Sequence, residues 1–311
     1  MNWKKLREIG IAVYKLEDWK DKKRYLVFLA RCWLNQKAVR DHLDFLTATP
    51  LRQKMLQGTP QLLDQATRQI FYKNSTVEER VRFVQEHITL MEELFTPELL
   101  EKVYLHHERV PLWRIEFQDK PLWLYIGLHD GQQKEGCISL EIVHDTEDLQ
   151  NFDWGEGRHL YQIVFALARN EAGELYIRVG ALQGLNRGLD LIKDATKTFF
   201  GYRPKNLMFW CLRSFAEAIG AKYITAVSNR GYYAMNHFRL DRKLKVDLNE
   251  FWEEAGGNQT PDYRFYRLEI EEYRKDMSEL KPSKRAQHRR RFEFLDNVKA
   301  TIRENLQKYL R

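Results

Sequence analysis

Cysteine is scarce in this chain: Cys32, Cys137 and Cys211 are the only three, far apart and odd in number. No C-x-x-C pair occurs, which excludes a disulfide framework or a cysteine-rich zinc module; reduced, buried thiols are expected. Long apolar runs are missing as well. The longest, near 25–34, is broken by Arg31 and is too short to span a bilayer. The nine histidines show no metal-ligand spacing, neither H-E-x-x-H nor a histidine beside a cysteine pair. There is no G-x-S-x-G elbow and no G-K-[ST] phosphate loop, so two common hydrolase and nucleotide-binding signatures are excluded. Internal repeats, low-complexity tracts and long disordered linkers are absent too.

What remains is an ordinary globular composition, 43% hydrophobic and 31% charged, on 311 residues. That length buries a substantial core and has room for two domains. The first twenty residues place basic ahead of apolar side chains, like a signal peptide. Glu8, Lys15, Glu17 and Asp18 interrupt the would-be apolar stretch, however, and no small-residue cleavage site follows. The segment reads as an amphipathic helix of a protein made and kept in the cytoplasm, with peripheral contact to the inner membrane left open. Charge is unevenly placed. Ten of the 51 basic residues but only three of the 44 acidic ones fall in 281–311, so the whole excess of +7 lies there. An anionic partner, either membrane surface or nucleic acid, is expected at that end.

In chain order, 1–110 reads as a helical region. Thr49-Pro50, Thr59-Pro60 and Thr96-Pro97 each pair a capping residue with proline at a first helical position. Ser75 and Glu78 have capping-box spacing ahead of a long helix toward Phe95. Composition then shifts. Aromatic and β-branched runs at 112–117, 122–128, 137–143, 158–169 and 174–184 predict a largely antiparallel sheet, with a hairpin through Asn170–Gly173. A helix is expected over 186–200 and another strand over 263–270. The region 111–280 is thus an α/β sheet domain, and 281–311 a basic helix with a stripe of Leu295, Val298, Ile302, Leu306 and Tyr309. The fold class is α+β: an N-terminal helical region, then a mainly antiparallel sheet with packed helices.

The centre of this arrangement is 203–229. Pro204 opens a helix whose apolar face runs through Leu207, Met208, Cys211, Leu212, Phe215 and Ile219, and Gly220 ends it. Residues 223–227 follow as a short buried strand, then a polar turn at 228–231. A strand-to-helix turn at Gln183, Gly184 and Gly188 admits two readings, an ordinary glycine loop or a cradle presenting backbone N–H groups to a phosphate. It resembles in part the Q/R-x-x-G-x-G/A turn of acyl-CoA acetyltransferases of the GNAT superfamily, with the spacing altered to Q-G-x-x-x-G. Arg203, Lys205, Asn229 and Arg230 bracket the same unit. Cations beside a helix start oppose the macrodipole, so an anionic partner is expected there: a bound donor such as acyl-CoA or aminoacyl-tRNA, or a carboxylate of the chain. Tyr232 and His237 follow as candidates for proton transfer. The acidic stretch from Glu141 to Glu156 reads either as a solvated loop or as a receptor for a cationic peptide or amine substrate. Lys284, Arg285, Arg289, Arg290 and Arg291 form the candidate anion-binding patch.

Taken together, 181–184, 194–208, 221–229, 247–257 and 280–296 resemble the VirK/YbjX family of Gram-negative proteins, as an ordered set covering most of the second half. The resemblance implies a bacterial protein associated with virulence and with survival of envelope stress, cationic antimicrobial peptides included. It implies no catalytic residues. Two functions follow as expectations: a GNAT-like transferase acting on an amine, or a non-enzymatic accessory protein docking through its basic helix.

Overall fold

The computed structural model describes residues 2–118, 120–128, 133–144, 159–184, 189–236 and 247–311. Seven helices come first: α1 (Trp3–Tyr14), α2 (Trp19–Leu34), α3 (Gln36–Thr47), α4 (Pro50–Gly58), α5 (Gln61–Thr67), α6 (Val77–Leu94) and α7 (Pro97–Leu100), the last running into a π turn over Glu101–Leu105. Their starts are set by local chemistry. Thr49 caps α4 by accepting from the Arg52 N–H at 3.2 Å. The capping box of α6 uses Thr76 and Glu79, one residue later than the sequence spacing indicates. Ser75 is not available for that role, because its hydroxyl donates to the Ile70 carbonyl at 2.7 Å. Thr59 likewise leaves the start of α5 and donates to the Tyr104 carbonyl at 2.6 Å.

The sheet follows: β1 (Val110–Ile115), β2 (Leu122–Gly127), β3 (Ile138–His144), β4 (His159–Arg169) and β5 (Leu175–Gly184) form an antiparallel meander. Helices α8 (Leu189–Thr198) and α9 (Pro204–Ala218) then carry the chain back to β6 (Tyr223–Val227), which pairs with β5 in parallel. After α10 (Leu248–Glu254), the short β7 (Asn258–Gln259) and β8 (Phe265–Glu269) complete the order β1-β2-β3-β4-β5-β6-β8-β7. Among the described residues only the β5–β6 junction is parallel, as a helical crossover requires. The chain ends in α11 (Pro282–Gln307). The α+β expectation holds.

Helix α6 lies on one face of the sheet, against β4; α9 lies on the other, against β3, β4 and β5, with α11 outside it. The apolar face read for α9 is buried as expected, with Leu207, Met208, Cys211, Leu212 and Phe215 fully enclosed. The helix is tied down by Arg213, whose guanidinium donates to the carbonyls of Glu269 and Ala255 at 3.1 and 2.9 Å. The stripe on α11 is buried through Leu295, Val298, Ile302 and Leu306. N-terminal helices and sheet share one continuous hydrophobic core. No helix among the described residues is long and apolar enough to cross a membrane.

Candidate functional site

The parallel junction is incomplete. β5 has ten residues, but only Ile177, Arg178 and Val179 pair with β6, opposite Ile224, Thr225 and Ala226. The break coincides with a bulge. On the other edge of β5 the register to β4 slips between Val164 and Phe165, which face Ala181 and Val179, leaving Gly180 unpaired. Beyond it, 180–184 runs on toward Gly184 with no strand beside it on the β6 side among the described residues. We call this unpaired edge of β5, next to the start of the helical crossover, the slot. Backbone groups along such an edge need partners.

Glycine at 180 is a steric requirement. The segment 133–136 crosses over β5 here, so close that a Cβ at Gly180 would sit 1.7 Å from the Glu135 carbonyl oxygen. This segment brings in a candidate proton carrier. The Tyr232 hydroxyl donates to the Glu135 carboxylate at 3.1 Å, and both residues are buried. Burial, and then the Glu135 charge, push the Tyr232 phenol far above its ordinary range, so it stays protonated. The Tyr232–Glu135 pair therefore lies at the vertex of the slot. His237 and Gly188 lie outside the described residues, as does most of the acidic stretch. The described part of that stretch, Glu141, is not in a loop. It is buried on β3, bonded to Arg109 at 3.1 Å and to the Ser139 hydroxyl at 2.9 Å.

The other residues singled out from the sequence fall at the same end of the sheet with different commitments. Gln183 accepts from the Gln162 amide at 3.0 Å, and a Cβ at Gly184 would press on the Tyr161 ring. Arg203 is the N-cap residue of α9 and is exposed, and Arg230 is exposed on the turn after β6. Lys205 lies over the Phe251 ring at 4.0 Å, and burial lowers its pKa while Glu254, Glu250 and Asp247 oppose that shift. Asn229 is spent on holding α10: its carbonyl oxygen accepts from the Leu248 N–H and its amide donates to Asp247, at 2.8 and 2.7 Å. Of the four cations and amides bracketing the unit, Arg203 and Arg230 are the two whose side chains face solvent.

On α11 the five basic residues divide. Arg291 donates to the Phe200 carbonyl and Arg285 to that of Leu280, both near 3.1 Å. Lys284, Arg289 and Arg290 are exposed and have no carboxylate partner among the described residues. The first turn of α11 holds no acidic residue either, leaving cations at the positive end of the helix dipole.

One feature went unread in the sequence. A groove of about 790 Å³ lies between α6 and the sheet, floored by the Arg178–Thr225 pair and walled by Tyr72, Phe83 and Tyr176. The Arg178 guanidinium lies between the Phe83 and Tyr176 rings, 5.1 and 5.4 Å from their centroids, with no carboxylate partner among the described residues. The signal was a charged residue at mid-strand in an otherwise apolar run, 175–179. No group of His, Cys, Asp and Glu able to hold a metal occurs among the described residues.

Comparison with known proteins places the chain. Residues 17–304 match the family model described as "Protein of unknown function (DUF535)". The chain is 27% identical to the Escherichia coli K12 protein named "Uncharacterized protein YbjX" over 277 residues, covering 87% of this chain and 80% of that one. An uncharacterized protein of Haemophilus influenzae is 24% identical over 294 residues, 93% of this chain and 91% of its own. A Mannheimia haemolytica protein named "Membrane protein LapB" is 23% identical over 208 residues, 64% of this chain and 80% of its own. The family match extends the resemblance read in the second half across nearly the whole sequence: the chain belongs to the DUF535 family, the group of VirK and YbjX.

Proposed function

We propose that the chain is a GNAT-like acyl- or aminoacyl-transferase acting on an amine, in the bacterial response to envelope stress or antimicrobial peptides. The observation that carries this reading is the slot where β5 leaves β6 at the Gly180 bulge. An extended donor arm, such as the pantetheine of acyl-CoA or the acceptor end of aminoacyl-tRNA, can lie in such a slot as a substitute strand. Its phosphates would meet the crossover helix start and Arg203. The acceptor amine attacks the acyl carbonyl, a C–N bond forms, and the C–S or C–O bond to the carrier breaks. Two groups at the vertex suit the proton traffic. The Glu135 carboxylate accepts the ammonium proton, and the protonated Tyr232 phenol donates to the departing thiolate or alkoxide.

Thermal shift tests it. A donor at a hundredfold its Kd stabilises by about 2.7 kcal/mol. A shift with long-chain acyl-CoA or aminoacyl-tRNA is expected, lost in Arg203→Ala and kept in Tyr232→Phe, which abolishes transfer alone. The absence of a shift with every donor would overturn the reading.

The exposed, uncompensated cations of α11 favour a second reading, an accessory protein docking on a polyanion. It expects binding to nucleic acid or anionic lipid that weakens steeply with salt and vanishes when 281–311 are removed. Salt-insensitive binding would exclude it.

A further inference from the structure

Among the described residues, exposed large apolar side chains are concentrated on one element. α2 is 16 residues long and buries only Phe28 and Cys32. Trp19, Leu26 and Trp33 recur at seven-residue steps and therefore lie in one line along the helix. They are 75%, 59% and 61% exposed, and Leu34, beside them, is 70% exposed. Ile11 of α1 and Val27 widen the patch. This face is held outward by a firm attachment on the other side. A Cβ at Gly10 of α1 would sit 2.9 Å from the Tyr25 and Phe28 rings, so α1 and α2 cross in close contact. Phe28 also meets Tyr14 at a centroid distance of 6.1 Å. Fraying is thus no explanation for the outward tryptophans.

The borders of the stripe are basic. Lys20, Lys22 and Lys23 are exposed and have no carboxylate partner among the described residues, while the one acid within the helix, Asp21, is paired with Arg24 at 3.2 Å. An apolar line of tryptophan and leucine flanked by lysines is the pattern of a helix lying in the interface of an anionic bilayer. The rings sit at headgroup depth and the ammonium groups at the lipid phosphates. A two-fold dimer through the same face would set these lysine clusters near one another, which charge disfavours.

We infer that α2 is an interfacial anchor that lays the protein on an anionic phospholipid surface. The contact is independent of the slot and of α11. The anchor would present the transferase slot to an acceptor at the membrane, and it stands even if no transfer occurs.

Flotation of the full chain with phosphatidylglycerol/phosphatidylcholine vesicles tests it, against vesicles of phosphatidylcholine alone. The protein is expected to float with the anionic vesicles. Trp19→Ser/Leu26→Ser/Trp33→Ser should lower the bound fraction at least about tenfold with an unchanged melting midpoint, because three apolar groups no longer leave water. Lys20→Glu/Lys22→Glu/Lys23→Glu, which keeps the apolar line, should also lose binding. Lys284→Glu/Arg289→Glu/Arg290→Glu should retain it. Equal flotation of the serine variant, or loss of flotation only in the α11 variant, would overturn the inference. So would a dimer in light scattering that the serine variant dissolves, since a second copy would then cover the stripe.

Discussion

Helices α2 and α9 are almost equal in length and both rich in apolar residues, yet they are used in opposite ways. α9 buries eleven of its fifteen residues between the sheet and α11, whereas α2 buries two of sixteen and turns its tryptophans outward. Periodicity alone gives each helix an apolar stripe; it does not say what covers the stripe. For α9 the cover is β3, β4 and β5. For α2 only the Phe28 side is covered, and the Trp19–Trp33 line is a second face, unpartnered among the described residues. The inner helix makes the fold, and the outer one is free to make contacts elsewhere.

Four measurements would break or sharpen that contrast. The largest effect is expected inside. Phe215 of α9 is fully buried and packs on Phe165 and Phe95 at 5.4 and 6.2 Å, so Phe215→Ala should cost about 3–5 kcal/mol in denaturant unfolding. A loss under about 1 kcal/mol would mean that the α9 face is not the core.

Acid comes next. Burial lowers the pKa of His42 to about 4 and of His87 to about 3, from an ordinary 6.5. His87 is held neutral between the Tyr104 hydroxyl and the Leu167 N–H. Depressed folded-state values mean that the unfolded chain binds the extra protons. Stability is complete above pH 6.5 and is lost as pH falls toward 4 and 3, by up to about 1.4 kcal/mol per pH unit for each imidazole. The melting midpoint should therefore fall between pH 7 and pH 5; a flat profile would show that water reaches these side chains.

A smaller effect is expected at the slot. Asn229→Ala removes the amide that holds the start of α10, at about 1 kcal/mol, with β6 otherwise intact. No change in urea unfolding would show that Asp247 caps α10 unaided. The smallest effect is expected outside: Trp33→Ser on α2 should change stability by no more than about 0.5 kcal/mol. A loss as large as that at Phe215 would make the two helices alike and erase the contrast.

Much of the fold was legible because its elements carry local signals. The strands alternate or are rich in β-branched and aromatic residues, and α9 has Pro204 at its start and Gly220 after it. α10 was missed, since seven residues give too short a period, and its start depends on Asn229, which lies 19 residues before Leu248. The candidate site was legible only in part. Tyr232 could be singled out, but its partner Glu135 is 97 residues away in the chain, and no spacing rule joins them. The Gly180 bulge did leave a mark, a lone glycine within a strand pattern, which is a known sign of a bulge or a close backbone approach. For Lys205 and Asn229 the sequence left open a bound ligand or a carboxylate of the chain. Tertiary packing commits one to the Phe251 ring and the other to α10.

The slot is the centre of the account, and amide hydrogen exchange with and without donor tests it most directly. With saturating long-chain acyl-CoA or aminoacyl-tRNA, exchange is expected to slow at 180–184 and at 228–232, where β5 and β6 part, and to stay unchanged on α2. Unchanged exchange at both segments with either donor, or protection confined to α11, would contradict the account.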